Sequence, residues 1–458
     1  MNTETIAAIA TALSNSGIGL IRISGNKAFE IIDKIYKSKS GNKTISKQKS
    51  HTIHYGYIYD EDIMVDEVMV VKMDGPNTYT REDTVEIDCH GGIVVTEKIL
   101  QTVIRNGARC ATPGEFTKRA YLNGRIDLSQ AEAVMDIINS KNNYALKASM
   151  AQLKGNVKKQ IIALRDVIIH DIAFVEAALD DPEHIDIGNY KGTILKNARE
   201  CVDILKKMYD SADNGRIIKE GINTVIVGKP NAGKSSLLNV LVGEERAIVT
   251  DIAGTTRDII SEVININGIT LNVIDTAGIR STEDEVEKIG ISKAKEYADK
   301  ADLVIFVIDG STPLDENDYT IAEIIKDKKA IILLNKVDLD GITTIEDIEK
   351  ISDKKIIPVS AKNLSGINDF EDCLKEMFYN RVIEYNDEVV ITNERHKDGL
   401  VKAMESLRLV MDSIENGFSE DLYAVDMMDA YESLGQIIGE SVEDDLVDTI
   451  FREFCMGK

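Results

Sequence analysis

The run Gly228-Lys229-Pro230-Asn231-Ala232-Gly233-Lys234-Ser235 has the composition of a loop that wraps a polyphosphate. It follows the apolar stretch Thr224–Val227 and opens the helix-compatible SSLLNVLV, the strand–loop–helix context that gives such a loop meaning. Glycines let backbone N–H groups close on phosphate oxygens, and the helix N-terminus adds its positive end. Asn231, Ala232 and Gly233 line the loop, Lys234 reaches the β/γ-phosphates, Ser235 offers a hydroxyl to Mg²⁺, and Ser236 follows in the first helical turn. Asp275-Thr276-Ala277-Gly278 comes at the end of an apolar run, where its aspartate suits the metal side of the site and its glycine amide the γ-phosphate. Alone, D-x-x-G marks a turn; downstream of a phosphate loop it carries more weight. Asn335-Lys336-Val337-Asp338 supplies base selection. The Asp338 carboxylate can accept from both guanine N1–H and the exocyclic amine, whereas adenine leaves the acid unpaired. Ser360-Ala361-Lys362 fits the loop that supports the base. The set points to Mg·GTP and away from ATP.

Between the phosphate loop and D-x-x-G lies Thr250-Asp251-Ile252-Ala253-Gly254-Thr255-Thr256-Arg257-Asp258. A threonine here, Thr256 in our reading, joins the Mg²⁺ shell only when the γ-phosphate is present, which makes the segment a switch. Ras-like enzymes place a water-orienting glutamine directly after D-x-x-G. This chain has Ile279 there, so other groups must orient the water. The stretch Glu283-Asp284-Glu285-Val286-Glu287 offers carboxylates, although any single one reads first as a solvated surface charge.

These loops need a scaffold. Strand-like runs Thr224–Val227, Thr270–Ile274, Leu303–Ile308, Ala330–Leu334 and Lys355–Val359 alternate with helical segments over about 216–379, the pattern of a doubly wound α/β domain with a mainly parallel sheet. Residues 1–118 mix short β-like runs (Ile18–Ile23, Asp66–Lys72, Thr84–Cys89), turns such as Asp74-Gly75-Pro76, and a helical pattern over Ile93–Arg105, predicting a small α+β domain. From Asp127 the texture is helical, with Ser129 and Glu132 as a capping-box pair and Ala131, Val134, Met135 and Ile138 on one face. Breaks are expected at Gly155 and near Pro182, and the pattern returns at Glu394 with Leu400, Ala403, Leu407, Val410, Met411 and Ile414. The expected organisation is 1–118, helical 119–215, an inserted block 216–379, and helical 380–458.

Of 458 residues, 43% are hydrophobic, and no run is long enough to span a membrane. The N-terminus lacks a basic region before its apolar residues, which argues against a secretory leader. Five cysteines without a C-x-x-C pair suit a reducing cytoplasm rather than a disulfide framework or zinc site. A net charge of −24 repels phosphate backbones, so any nucleic acid must dock on a local basic patch or a partner. The most basic stretch, Lys37–Lys49, reads as a flexible, solvated loop, and the absence of Trp leaves no evident base-stacking platform.

Beyond these motifs, GIGLIRISG (17–25), YTREDTVEIDCHGG (79–92), ARCATPGEFTKRAYLNGRIDLSQAEAV (108–134), DIAGTTRD, DTAGIR and the terminal Cys455-Met456-Gly457-Lys458 resemble the MnmE (TrmE) family of tRNA-modification GTPases over essentially the whole chain. The resemblance implies an N-terminal folate-binding domain, a discontinuous helical domain and the inserted GTPase domain. It implies a homodimer through the N-terminal domains, working in the cytoplasm with an FAD-dependent MnmG partner in a heterotetramer or larger complex. The implied product is a C5 carboxymethylaminomethyl-type group on the wobble uridine of certain tRNAs. A 5-formyl- or methylene-tetrahydrofolate would supply the one-carbon unit. It further implies K⁺-dependent hydrolysis with Asn231, Thr250, Ile252 and Thr255 at the cation, Glu287 as the water-orienting group, and folate contacts at Arg22, Glu82, Arg125 and Lys458. Cys455 would act at the modification site. Met456 departs from the usual branched aliphatic, and Asp180–Asp186 is only loosely similar. Two other classes remain distinct: a ribosome-assembly or other switch GTPase, which would need an RNA-binding appendage not seen here, and a dynamin-type GTPase, which would need a basic amphipathic helix or membrane span.

Overall fold

The computed structural model describes residues 4–41, 43–185, 187–243, 260–274, 296–378, 389–440, 450, 451, 454 and 457. Period-two alternation in the first ninety residues produces β1 (Ile6–Ile9), β2 (Ser16–Ser24), β3 (Tyr36–Ser38), β4 (Thr52–Asp60), β5 (Ile63–Met73) and β6 (Thr84–Gly91). With β7 (Arg109–Cys110) they form a seven-stranded sheet of order β3-β4-β5-β6-β2-β1-β7. Ile21, Ile23, Val70, Val85 and Ile87 pack on one face beneath α1 (Ala28–Ile35) and α2 (Ile93–Arg105). The register sets Arg22 directly opposite Glu86, on the face away from that core.

The basic stretch 37–49 is more structured than a solvated loop. It begins as strand β3, and Ile45 is fully buried, with the Ile45 and Ser46 N–H groups donating to Asp33 Oδ1. Lys37 and Lys39 lie over the rings of Tyr59 and Tyr55. Tyr55 and Tyr59, four positions apart on β4, give the lysine stems apolar surface to cover.

The helical region comprises α3 (Glu115–Leu122), α4 (Leu128–Ile138), α5 (Asn143–Leu153), α6 (Asn156–Asp180), α7 (Lys191–Asp210) and α8 (Ala212–Glu220). It resumes with α13 (Glu394–Glu415) and α14 (Glu420–Ile438). The capping box of α4 is not Ser129 with Glu132. Asp127 Oδ1 accepts from the Gln130 N–H at 2.9 Å, and Gln130 Oε1 accepts from the Asp127 N–H at 3.0 Å. The box therefore starts two residues earlier than the expected pair, and Ser129 donates to Asp127 instead. Of the expected face, Ala131 is buried and Met135 packs beside it, while Ile138 is exposed; Leu128, Glu132 and Asp136 are buried as well. Gly155, at φ +86°, separates α5 from α6 where the break was expected.

The inserted block holds β8 (Ile222–Val227), α9 (Lys234–Gly243), β9 (Ile260–Ile266), β10 (Ile269–Ile274), β11 (Leu303–Asp309), α10 (Glu316–Ile324), β12 (Ala330–Asn335), α11 (Ile345–Glu349), β13 (Lys355–Pro358) and α12 (Ile367–Phe378). The sheet order is β13-β12-β11-β8-β10-β9, parallel except for edge strand β9. β11 and β12 are buried along their whole length, which explains their uninterrupted apolar sequence. Ile305, Val307, Ile331 and Leu333 pack to one side with Leu237, Phe370 and Leu374; Val304, Phe306, Ile332 and Leu334 pack to the other with Ile321 and Ile348. This is a doubly wound sheet with helices on both faces.

The chain divides into two compact units. One comprises 1–135, 152–198 and 405–458; the other comprises 136–151 and 199–404.

Candidate functional site

In the second unit, β8, β11, β12 and β13 run parallel and deliver Gly228, Asp309, Asn335 and the segment from Val359 to their carboxyl ends, where an open α/β sheet binds ligands. Two glycines of the phosphate loop are required by close approach. A Cβ on Gly228 would lie 2.3 Å from the Val307 carbonyl oxygen, and one on Gly233 would lie 2.0 Å from Asn335 Nδ2. Their φ values are +146° and +97°, and Asn231 between them is at +62°. Lys234 opens α9, and its ammonium donates to the carbonyls of Gly228 (2.7 Å) and Lys229 (2.6 Å). Burial pulls the pKa of this lysine down to about 8. A half-buried ammonium resting on neutral oxygens is a good receptor for phosphate charge.

Asn335 joins the phosphate loop to the base-supporting loop. It is buried; its amide donates to the Ala232 carbonyl at 2.9 Å and its oxygen accepts from the Ala361 N–H at 3.2 Å. Lys336 adopts φ +65°, and its ammonium pairs with Asp309 at 2.5 Å. Asp309 also accepts from the N–H and hydroxyl of Ser311. Burial would raise the Asp309 pKa, but these partners outweigh it and hold the carboxyl below its usual range. Asp338 is exposed, and one of its oxygens accepts from the buried Ser360 hydroxyl at 2.6 Å. That bond, above all, lowers the Asp338 pKa, which keeps the acid ionised to receive guanine. Lys362 is exposed beside this loop.

β10 ends at Ile274 next to β8, so Asp275-Thr276-Ala277-Gly278 starts directly beyond the strand. Those four residues, switch residues Thr250 to Thr256, and Glu287 lie outside the described residues. So do Cys455 and Lys458.

The first unit brings together three of the four expected folate contacts or their neighbours. Arg22 donates from Nε to Glu86 at 2.7 Å and lies over the rings of Tyr79 and Phe116, 5.5 and 5.6 Å from their centroids. Arg125 covers the same Tyr79 ring at 4.6 Å. The Gly457 carbonyl accepts from Arg22 Nη1 at 3.3 Å, which sets the residue before Lys458 in this cluster. Glu82 accepts from Arg119 at 2.9 Å and from Ser24 at 2.7 Å. Arg119 in turn pairs with Glu115, which Arg109 also grips. Burial opposes ionisation of Glu115, yet these guanidinium groups and the Thr112 N–H bring its pKa down to about 2. Two arginines, a carboxylate and two aromatic rings suit a flat, polar heterocycle with an anionic tail. Tyr79, Glu86, Phe116 and Arg119 were missed in the sequence. They lie inside the segments that carry the resemblance, but their pairings join positions without any spacing signature.

A family model described as the MnmE helical domain matches residues 128–455, and one described as the GTP-binding protein TrmE N-terminus matches residues 5–125. Among curated relatives, a protein of Lachnoclostridium phytofermentans is 58% identical over 458 residues, covering 100% of both chains. One of Alkaliphilus oremlandii is 49% identical over 461 residues and one of Clostridioides difficile 48% over 457, each covering 99% of both chains. All three carry the name tRNA modification GTPase MnmE. A phosphate loop and a guanine-selecting loop joined by one buried asparagine, in a chain matched along its full length by these proteins, place it in the MnmE family of tRNA modification GTPases.

Proposed function

We propose that this protein is a K⁺-dependent GTP hydrolase that acts with an FAD-dependent MnmG-type partner to add a carboxymethylaminomethyl-type group to C5 of the wobble uridine in certain tRNAs. The observation that carries the GTPase half is Asn335, whose side chain spans from Ala232 to Ala361 and sets the spacing between phosphate and base subsites. In this reading Lys234 leaves the two carbonyls for the β/γ-phosphates, the amides of Asn231 to Ser236 close on phosphate oxygens, and Asp338 accepts from guanine. Lys336, held by Asp309, and Ala361 flank the base. Thr255 and Thr256 would close on the γ-phosphate with Gly278, and Glu287 would orient the attacking water. Mg²⁺ at Ser235 and Thr256, and K⁺ at Asn231, Thr250, Ile252 and Thr255, would neutralise charge developing between the β- and γ-phosphates. Asn231 suits that place, because it is an exposed amide on a left-handed backbone within the loop.

The tRNA half rests on the full-length relatives named for that activity. A reduced folate in the cluster of Arg22, Glu82 and Arg125, with Lys458 beside Gly457, would supply one carbon to the modification. The domain arrangement expected above, a homodimer and a cytoplasmic setting belong to the same proposal. Among the described residues, no helix is long and apolar enough to cross a membrane.

The test is deletion of the gene in its host, with C5-modified uridines quantified in total tRNA by nucleoside mass spectrometry. Loss of those nucleosides, restored by wild type but not by Glu287→Ala or Cys455→Ser, is the expected result. In parallel, Glu287→Ala should slow hydrolysis by about a hundredfold or more with GTP affinity nearly unchanged, and wild-type turnover should fall when Na⁺ replaces K⁺. An unchanged nucleoside profile would put a ribosome-assembly switch in place of the tRNA reading.

A further inference from the structure

The phosphate loop carries three positive-φ residues, Gly228, Asn231 and Gly233, within six positions. A loop in that shape needs fastening from outside, because its own hydrogen bonds are few. One fastening is Asn335, at the Ala232 end. The other end is held by Lys229, a residue that no nucleotide-contacting role had singled out. Its side chain points away from the loop's interior and reaches α10: the ammonium pairs with Asp318 at 2.7 Å and Asp315 at 3.1 Å, and donates to the Pro313 carbonyl at 3.3 Å. Asp318 is fully buried, and with Asp315 it forms the capping box of α10. The backbone of the same lysine faces inward, its carbonyl accepting from Lys234 Nζ at 2.6 Å and from the Ala232 N–H at 3.3 Å. Burial works against the Lys229 charge, but the two carboxylates outweigh it and raise its pKa, so the tie is ionic across the neutral range.

We propose that Lys229 is a positioning residue of the nucleotide site: its tie to Asp318 and Asp315 holds the first half of the phosphate loop in the shape that receives the diphosphate of a guanine nucleotide. The proposal rests on the GTPase reading and extends it to a side chain that touches no phosphate. Without the tie, the Lys229 peptide is free to turn at Gly228, and the carbonyl that parks Lys234 turns with it. The loss falls on nucleotide binding, with turnover at saturation reduced less.

Replacing Lys229 alone leaves Asp318 as a buried charge without its cation, which destabilises any fold. The informative variant is therefore the pair Lys229→Met with Asp318→Asn, which removes both charges and keeps the volume and the cap. The full-length protein is titrated with fluorescent GDP, GTP turnover is measured, and melting is followed in parallel. Kd for GDP and KM for GTP should rise about ten- to a hundredfold in the double variant while its melting temperature stays near wild type. Lys229→Arg, which keeps the ion pair, should bind GDP within a few-fold of wild type. GDP affinity that recovers in the double variant along with its stability would overturn the proposal, because the lysine would then be only a structural counter-ion. A fall in kcat at unchanged KM would overturn it as well. Wild-type protein that takes up no GDP would instead remove the GTPase reading itself.

Discussion

Lys234 has its ammonium on two backbone carbonyls and a pKa drawn down to about 8 by burial, and this has a consequence for nucleotide binding. A bound diphosphate favours the ammonium and raises its pKa, so binding takes up a proton when the free site is deprotonated. Affinity for GDP should therefore be flat below about pH 8 and fall above it, by up to about tenfold per pH unit, until the raised pKa of the bound state is passed. Lys234→Arg, which keeps its charge throughout, should bind with little pH dependence between pH 7 and 9. A flat wild-type profile over that range would show that the lysine stays protonated in the free loop. Such residues are legible in sequence because their function forces a fixed local spacing: Lys234 follows Gly233, and Asp338 follows Asn335 by three. Lys229, Asp309, Tyr79 and Arg119 were not, since their partners Asp318, Lys336, Arg22 and Glu82 come from elsewhere in the chain and depend on the fold.

At the scale of elements, the β9–β10 hairpin connects the switch segment to D-x-x-G, and Asn142 holds it to the start of α5. The Asn142 oxygen accepts from the Ala145 N–H at 2.8 Å as the helix cap, while its amide donates to the Ile218 carbonyl at 3.1 Å and to Thr270 Oγ1 at 3.0 Å. All of these atoms lie in the second unit, and Ala145 packs into the same core as Leu271 and Ile218. Asn142→Ala removes a cap and leaves a buried carbonyl and a buried hydroxyl without this donor, which should destabilise that unit by about 2–3 kcal/mol. Chemical denaturation followed by a probe in 199–404 checks the value, and a loss below about 0.5 kcal/mol would mean that the amide bonds are replaced by water. The interior strands β8, β10, β11 and β12 were legible because burial on both faces demands unbroken apolar runs. β9 was not, as an edge strand covered on fewer sides needs no such run. The start of α4 was misplaced because Asp127-x-x-Gln130 and Ser129-x-x-Glu132 both satisfy a capping pattern, and only packing of Leu128 and Ala131 decides between them.

Charge is a property of the whole molecule, and at −24 it sets the terms on which a polyanion can approach. At physiological salt, screening acts over about 8 Å, so a local basic patch can still act if its lysines are free to reach phosphates. Residues 37–49 are the best such patch in the sequence, but Lys37 and Lys39 lie on tyrosine rings and the segment is pinned at the buried Ile45. That leaves Lys43, Lys47 and Lys49 against a strongly acidic background, too few to produce the steep salt dependence of a nucleic-acid binder. In the proposed complex the FAD-dependent partner therefore carries most of the tRNA contact. Mobility shifts in 0.15 M KCl should show no complex of this chain alone with tRNA at micromolar concentration, and a complex once the partner is added. Replacing Lys43, Lys47 and Lys49 together by Gln should change the affinity of that complex by less than about threefold, since each lysine counts only through the counter-ions it displaces. Tight binding by the chain alone, with a steep loss on raising salt and a further loss in the triple variant, would move the tRNA site onto this protein and make the basic segment its anchor.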